Sequence, residues 1–273
     1  MNISFFDGLI LKIFSQVFGA ISAIFSVIFI FIDIEDEYKK IALLTFIILL
    51  IIIYICIYIY AINLKSIDIK IDRVSLTVKY GDLFYQDGLK VIPVNEYFDT
   101  IIDNKIISTN TIHGKFILSN YPNSQCLSTL DTKIEECLRY IPYEENNNRP
   151  EGKNKIYPIS TSIEITDEYI LTAFTKYDKD NIPYLNNDDY LLFLHKFWNE
   201  INRINNGRVV NIPLLGTGLS RIMPNFTEQD FLEQLIWSIK TSNLTRTRCK
   251  INIIIYNDMK DCISIFRLKN NFK

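Results

Sequence analysis

The segment NIPLLGTGLSRI joins an apolar stretch to a turn that contains two glycines. Glycine has no Cβ, so backbone N–H groups in such a turn can face an anion and a phosphate can approach closely. Arg221 stands where a dinucleotide-binding fingerprint would have its third glycine, which excludes that motif. The turn is therefore either a phosphate loop or an ordinary reverse turn. Its candidate ligand-binding residues are Gly216, Thr217, Gly218, Leu219 and Ser220.

Three further candidate residues also come at the ends of predicted strands. Asp82 follows the first strand of the domain, Asn95 follows the second, and Tyr256 ends the last. In open α/β sheets, ligands bind outside the carboxyl ends of the parallel strands. We therefore expect these side chains to lie near the glycine turn.

The elements that must position these residues alternate between strand and helix. The predicted strands cover 74–80, 89–94, 157–165, 169–175, 208–215 and 249–256. The predicted helices cover 131–140, 188–204 and 227–240, and a short helix follows Asp258. This alternation predicts an α/β domain with a mostly parallel sheet and helices on both of its faces.

Two polar segments interrupt this pattern. Residues 108–120 are rich in Thr and Asn, with Gly114 interpreted as a breaker, and residues 144–154 (EENNNRPEGKN) have turn composition and are predicted on the surface. His195 lies on the helix 188–204 and is interpreted as structural. The apolar face predicted for that helix consists of Leu191, Leu194, Trp198 and Ile201.

Two uncharged runs, 13–32 and 41–64, precede this domain. Both reach the roughly 20 apolar residues that a helix needs to cross about 30 Å of hydrocarbon. In lipid, backbone polar groups must be satisfied within their own segment, so both runs are predicted to be helices. The alternative, a signal peptide followed by a buried helix, fits less well because MNISFFDG lacks a basic segment and no small-residue cleavage site follows. The predicted domains are a transmembrane hairpin, 1–64, and an α/β domain, 65–273.

Charge predicts the orientation of the hairpin. Lys65, Lys70 and Arg73 follow the second run, whereas the linker DIEDEYKK has only two lysines. The positive-inside rule then predicts a multi-pass protein of the inner or plasma membrane with its large domain in the cytoplasm.

Net charge and cysteine spacing exclude other functions. Five of the 31 acidic and three of the 29 basic residues precede residue 65, so the remaining chain is net neutral. A neutral domain offers no basic surface for nucleic acid. The five cysteines form no CxxC pair, and reduced thiols are expected in the cytoplasm.

Small residues recur along one face of the first apolar run. They could let helix backbones approach closely in lipid and so drive association into homo-oligomers, although small residues are also common in spans without such a role. These residues are Ser15, Gly19, Ala23, Ser22 and Ser26.

From residue 74 to the C-terminus, the order of these strand ends resembles the macro domain, a three-layer α/β/α module that binds ADP-ribose. VKYGDLF resembles the opening strand whose aspartate binds adenine, which gives that role to Asp82. VIPVNEYFD resembles the loop whose asparagine contacts the distal ribose, which gives that role to Asn95. The resemblance makes NIPLLGTGLSRI the diphosphate loop and Tyr256 the aromatic residue that stacks on adenine.

Two segments near this loop bear on the chemistry. His113, in TIHGKF, either contacts the ligand beyond the distal ribose or is a turn residue beside Gly114, and we favour the turn residue. Macro domains usually carry a glycine-rich stretch soon after their asparagine, where hydrolytic members build their catalytic side. Here that stretch reads EYFDTIIDNK, without glycine. The resemblance therefore implies ligand binding with no catalytic residue, metal or cofactor other than the ADP-ribose derivative.

Two spans followed by a macro-like domain with TIHGKF and IPLLGTGL resemble the membrane-anchored macro effectors of Thoeris anti-phage defence. In that family a TIR-domain partner makes an ADP-ribose-type signal from NAD, the macro domain binds it, and the membrane part damages the cell envelope. The resemblance implies an effector that senses such a signal, for example an amino-acid–ADP-ribose conjugate, then oligomerises and causes abortive infection. The alternatives are a membrane-tethered ADP-ribosyl hydrolase and a passive membrane adaptor.

Overall fold

The computed structural model describes residues 3–32, 35–218, 226–246 and 248–272. Asp68–Cys262 forms one compact unit, and a second unit combines the residues up to Ile67 with those from Ile263 onward. The boundary after residue 64 stays a prediction. The helices are α1 Gly8–Phe31, α2 Asp36–Asn63, α3 Ile112–Asn120, α4 Ser124–Leu138, α5 Asn187–Ile204, α6 Glu228–Thr241 and α7 Ile265–Asn271. The strands are β1 Ser66–Ile71, β2 Val74–Tyr80, β3 Leu89–Asn95, β4 Glu144–Glu145, β5 Lys155–Ile156, β6 Ser162–Thr166, β7 Tyr169–Tyr177, β8 Pro183–Tyr184, β9 Val210–Pro213 and β10 Cys249–Ile255.

The main sheet has the strand order β1-β2-β10-β9-β3-β7-β6, with β8 beside β7. Parallel pairing joins β2 to β10, β10 to β9, β9 to β3, and β3 to β7. Strands β6 and β8 pair antiparallel with β7. The prediction of a mostly parallel sheet is confirmed.

Helices cover both faces of this sheet. On one face, α3 and α4 pack against the strands through an apolar cluster that includes Ile92, Phe116, Ile134 and Leu171. On the other face, the ring of Phe193 in α5 lies 4.8 Å from that of Phe174 in β7. Helices α5 and α6 are joined there by a hydrogen bond that the Trp198 indole donates to Ser238, 2.7 Å. The domain is thus three-layered α/β/α.

Several predicted elements have other limits. The predicted strand 157–165 is wrong in its first half, because Ser160 adopts a φ of +79° in a turn and only Ser162–Thr166 pairs. Helix α4 begins at Ser124, before the predicted start, because Asn123 caps it by accepting a hydrogen bond from the Cys126 N–H. Strand β1 was not predicted at all. On α5, Leu191 is exposed, so its assignment to the apolar face is wrong.

Gly114 is not a breaker, since it lies in the first turn of α3. A Cβ at this position would come within 2.2 Å of the Ser108 carbonyl oxygen. The glycine is therefore required by the close approach of the preceding loop to the helix, and a neighbouring cap, Thr111, starts the helix.

Helices α1 and α2 are both long and apolar enough to cross a membrane. Aromatic side chains join them, with ring distances of 5.1 Å for Phe14 and Tyr54 and 5.3 Å for Phe25 and Phe46. Gly19 of the small-residue face does not take part in this contact, because a Cβ on it would meet no atom of the described residues within 4 Å.

The C-terminal helix α7 belongs to the unit that contains the hairpin. Phe266 is buried with Ile10 of α1 and Ala61 of α2. Arg267 forms an ion pair of 3.1 Å with Asp7, whose other carboxylate oxygen caps α1. Helix α7 thus packs against the start of α1 and the end of α2.

Candidate functional site

The parallel register brings the ends of β2, β10 and β9 to one edge of the sheet. Beyond the strands, the Gly81 N–H still donates to the Ile255 carbonyl at 2.9 Å, and the Leu214 N–H donates to the Ile254 carbonyl at 3.3 Å. These bonds hold the start of the glycine turn and the residues before Asp82 against the end of β10. Asp82, Tyr256 and the described part of the glycine turn consequently follow strands that end at the same edge of the sheet, and their joint role in one site stays a prediction.

A crevice is expected between β9 and β3. Their pairing covers only the first residues of each strand, Leu89 with Val210 and Lys90 with Asn211. From β3 the chain passes to α3 on one face of the sheet, and from β9 it passes to α6 on the other face. This is the topological switch point at which open α/β sheets bind ligands.

The two glycines of the turn play different structural roles. Gly216 has a φ of +99°, and a Cβ on it would come within 2.6 Å of the Phe231 ring. Among the described residues, no atom lies within 4 Å of the Cβ position of Gly218. Gly216 therefore shapes the turn, whereas a ligand role for Gly218 stays a prediction. Leu219 and Ser220 lie outside the described residues.

Asp82 is half-buried, and its Oδ1 accepts a hydrogen bond from the Phe84 N–H at 2.9 Å. This bond caps the short 3₁₀ turn Leu83–Tyr85. Among the described residues no donor reaches Oδ2, so this oxygen can accept a hydrogen bond from a ligand amine.

Tyr256 presents an exposed aromatic ring at the end of β10, with 47% of the residue accessible. The Lys115 ammonium of α3 lies 5.2 Å from the ring centroid. Sequence reasoning missed Lys115, because a lysine in a segment interpreted as irregular gives no sign that it will face a residue far along the chain. The pair offers a stacking surface beside a positive charge.

The first turn of α3 adds a further positive element. Its N–H groups carry the positive end of the helix dipole, which favours anions. His113 is buried within the α-helix and not in a reverse turn beside Gly114, so its interpretation as a turn residue is wrong. Burial, together with the Lys153 charge, lowers the pKa of the His113 imidazole to about 3, so the side chain is neutral at physiological pH. A ligand role for His113 stays a prediction.

Asn95 differs from the other candidates because it is buried. Its Oδ1 accepts hydrogen bonds from the N–H groups of Tyr97 (3.1 Å) and Asp99 (3.3 Å), and its Nδ2 donates to Asp99 Oδ2 (3.0 Å). The residue therefore lies at the predicted edge, but most of its hydrogen-bonding capacity is used inside its own loop.

Comparison with known proteins gives the family. A family model described as "Thoeris protein ThsA, Macro domain" matches residues 76–256. The Thoeris protein ThsA of Bacillus amyloliquefaciens (strain Y2) is 30% identical over 244 residues, which are 88% of this chain and 82% of that protein. This chain belongs to the ThsA family.

Solved structures agree with the fold of this ThsA-family chain. The Oceanobacillus iheyensis macrodomain with ADP has a TM-score of 0.50 at 12% identity, covering 76% of this chain and 96% of that one. A glycine-to-valine mutant of the same macrodomain with ADPR has a TM-score of 0.51 at 11% identity, covering 76% and 98%. The predicted macro fold and the predicted family are both confirmed.

The two glycines predict opposite effects of substitution. Gly218→Glu should leave the melting temperature unchanged, because no atom of the described residues lies within 4 Å of its Cβ position. It should weaken ADP-ribose binding by about tenfold or more through bulk and charge repulsion. Gly216→Ala should instead lower the melting temperature, because its φ and the Phe231 ring disfavour a Cβ. Calorimetry and thermal unfolding of both variants test this. Wild-type affinity in Gly218→Glu would mean that the loop is only a turn.

Proposed function

We propose that this ThsA-family protein is an anti-phage effector whose macro domain binds an ADP-ribose-type signal without consuming it. The observation that carries the proposal is the convergence of Asp82, Tyr256 and Gly218 at the carboxyl edge of the sheet, beside the switch point. A free carboxylate oxygen, an exposed ring and an open backbone turn match an adenine amine, an adenine ring and a diphosphate respectively.

Electrostatics favour an anionic ligand at this edge. Lys115 beside Tyr256 and the amino-terminal turn of α3 bring positive charge to a domain that is net neutral. The diphosphate would face the turn that contains Gly218, and the adenine would stack on Tyr256 near Asp82. The signal itself is inferred to be an ADP-ribose derivative, such as an amino-acid conjugate, made from NAD by a TIR-domain partner.

The membrane part would deliver the response. Helices α1 and α2 would span the inner or plasma membrane as a hairpin, with the macro domain in the cytoplasm. A ligand shifts an equilibrium only by its differential affinity for the two states. Contacts between macro domains of neighbouring copies, formed better when the site is occupied, would supply that difference and gather the hairpins into an oligomer that disrupts the membrane.

A covalent route for such coupling exists within one chain. Residues 257–264 connect Tyr256, at the ligand edge, to α7, whose Phe266 and Arg267 contact the hairpin helices. A change at the end of β10 would therefore be passed along residues 257–264 to α7, which contacts the start of α1 and the end of α2.

Binding is tested by titrating the full chain in detergent with ADP-ribose. Asp82→Asn keeps the cap on the Phe84 N–H but replaces the free acceptor Oδ2 with a donor, so affinity should fall by about tenfold or more. Asp87→Asn is the matched control, since Asp87 is exposed and lies before β3, at the opposite edge. Wild-type affinity in Asp82→Asn would contradict the adenine assignment. Steady release of free ADP-ribose from an ADP-ribosylated peptide would establish the hydrolase alternative.

The membrane response is tested with Gly19→Leu. A leucine at this position has space within one hairpin, since no atom of the described residues lies near it. It would keep two hairpins apart along the small-residue face, so ligand-dependent vesicle leakage and particle growth should both decrease. ADP-ribose affinity should not change. Ala20→Leu places the same leucine side chain about 100° around the helix and should behave as wild type. Leakage without ligand, or leakage from particles that never grow, would rule out the mechanism.

A further inference from the structure

Beneath the end of β3 lies a fully buried carboxylate. Asp99 has 0% side-chain exposure and accepts four hydrogen bonds. Arg149 donates from Nη1 to Oδ1 (3.1 Å) and from Nη2 to Oδ2 (2.7 Å). The Lys153 N–H donates to Oδ1 (2.8 Å), and Asn95 Nδ2 donates to Oδ2 (3.0 Å). All of its charge is compensated from within the chain.

The counter-charge comes from the loop between β4 and β5, which the sequence predicted on the surface. That prediction is wrong for Arg149, whose side chain is 2% exposed. Its guanidinium carbon lies 3.7 Å from the centroid of the Tyr97 ring, and its Nε donates to Asn181 Oδ1 at 2.8 Å. Gly152, with a φ of +97°, lets the loop pass close to Asp99. Two segments outside its own loop, 97–99 and the one that contains Asn181, therefore hold the guanidinium.

This arrangement limits what Asn95 can offer to a ligand. A carboxamide has two acceptor sites and two donor hydrogens. Both acceptor sites of Asn95 are occupied by the Tyr97 and Asp99 N–H groups, and one donor hydrogen is given to Asp99. The other donor hydrogen is used in a side-chain hydrogen bond with Tyr177. Asn95 therefore cannot accept a hydrogen bond from a ribose hydroxyl without breaking its own turn.

We propose that Arg149 is a positioning residue for the ligand site, acting through Asp99 and Asn95 on the turn 95–99. The inference rests on the proposed function. With adenine at β10 and β2 and the diphosphate at β9, the next part of the ligand reaches β3, the neighbouring strand. The turn held by Arg149 then shapes the part of the site that receives the distal ribose.

The test compares Arg149→Lys with Arg208→Lys in the full chain in detergent, with ADP-ribose and ADP as probes. Lysine keeps the charge but loses the two-pronged geometry and the bond to Asn181. Arg208 is the matched control, because it holds Glu164 by two bonds of 2.7 and 3.0 Å just before β9, at the opposite edge. Arg149→Lys should weaken ADP-ribose binding by about tenfold and ADP binding by less than about threefold, and Arg208→Lys should change neither.

A double variant separates positioning from general stability. If Arg149 acts through Asn95, the losses of affinity from the two substitutions should not add, because the residues interact. The double variant Asn95→Ala/Arg149→Lys should then bind ADP-ribose no more weakly than whichever single variant binds it more weakly. Should Arg149→Lys fail to fold, Asn181→Ala removes the acceptor of Nε together with the bond from Asn181 Nδ2 to the Glu151 carbonyl. It should give a smaller loss that again affects ADP-ribose more than ADP.

The outcomes are distinguishable. Wild-type protein that binds neither probe overturns the proposed function and this inference with it. Wild-type binding with an unchanged Arg149→Lys variant, equal losses for both probes, or additive losses in the double variant overturn the positioning role alone.

Discussion

Parallel pairing of β10 with both of its neighbours is the constraint on which the site depends. Because β2 and β10 stay in register from Val74 and Cys249 to Tyr80 and Ile255, both strands end at the same height. The turn after β9 is tied to the same place by the bond from Leu214 to Ile254. A shift of one residue along β10 would move Tyr256 away from Asp82 and turn alternate side chains to the other face.

The other side of the crevice depends on a buried charge pair instead. Removing one partner of a buried ion pair typically costs about 3–5 kcal/mol, since the remaining charge is left without water. The charge of the Asp99 carboxylate is therefore compensated only while the loop that carries Arg149 is folded over it. The β3 side of the proposed site therefore depends on residues about fifty positions apart in the chain. The glycine turn on the β9 side, in contrast, is formed by consecutive residues.

This contrast explains how much of the protein could be predicted from its sequence. Apolar runs that end in Gly81-Asp82 or in the glycine turn carry their own local signals, so the strands and the shared edge were predictable. Arg149 was not, because its loop has the polar composition of a surface turn and nothing local reveals a buried partner. Gly114 was misinterpreted for a similar reason, since the close approach of Ser108 that requires it depends on the tertiary fold.

The central claim is that ADP-ribose binds at the carboxyl edge formed by β2, β10 and β9. Hydrogen exchange of the full chain in lipid nanodiscs, with and without saturating ADP-ribose, tests this most directly. Binding at this edge should slow exchange in peptides that cover 80–84, 214–218 and 255–258 and leave the amino-terminal ends of the same strands unchanged. ADP-ribose binding that protects only other parts of the domain would contradict it.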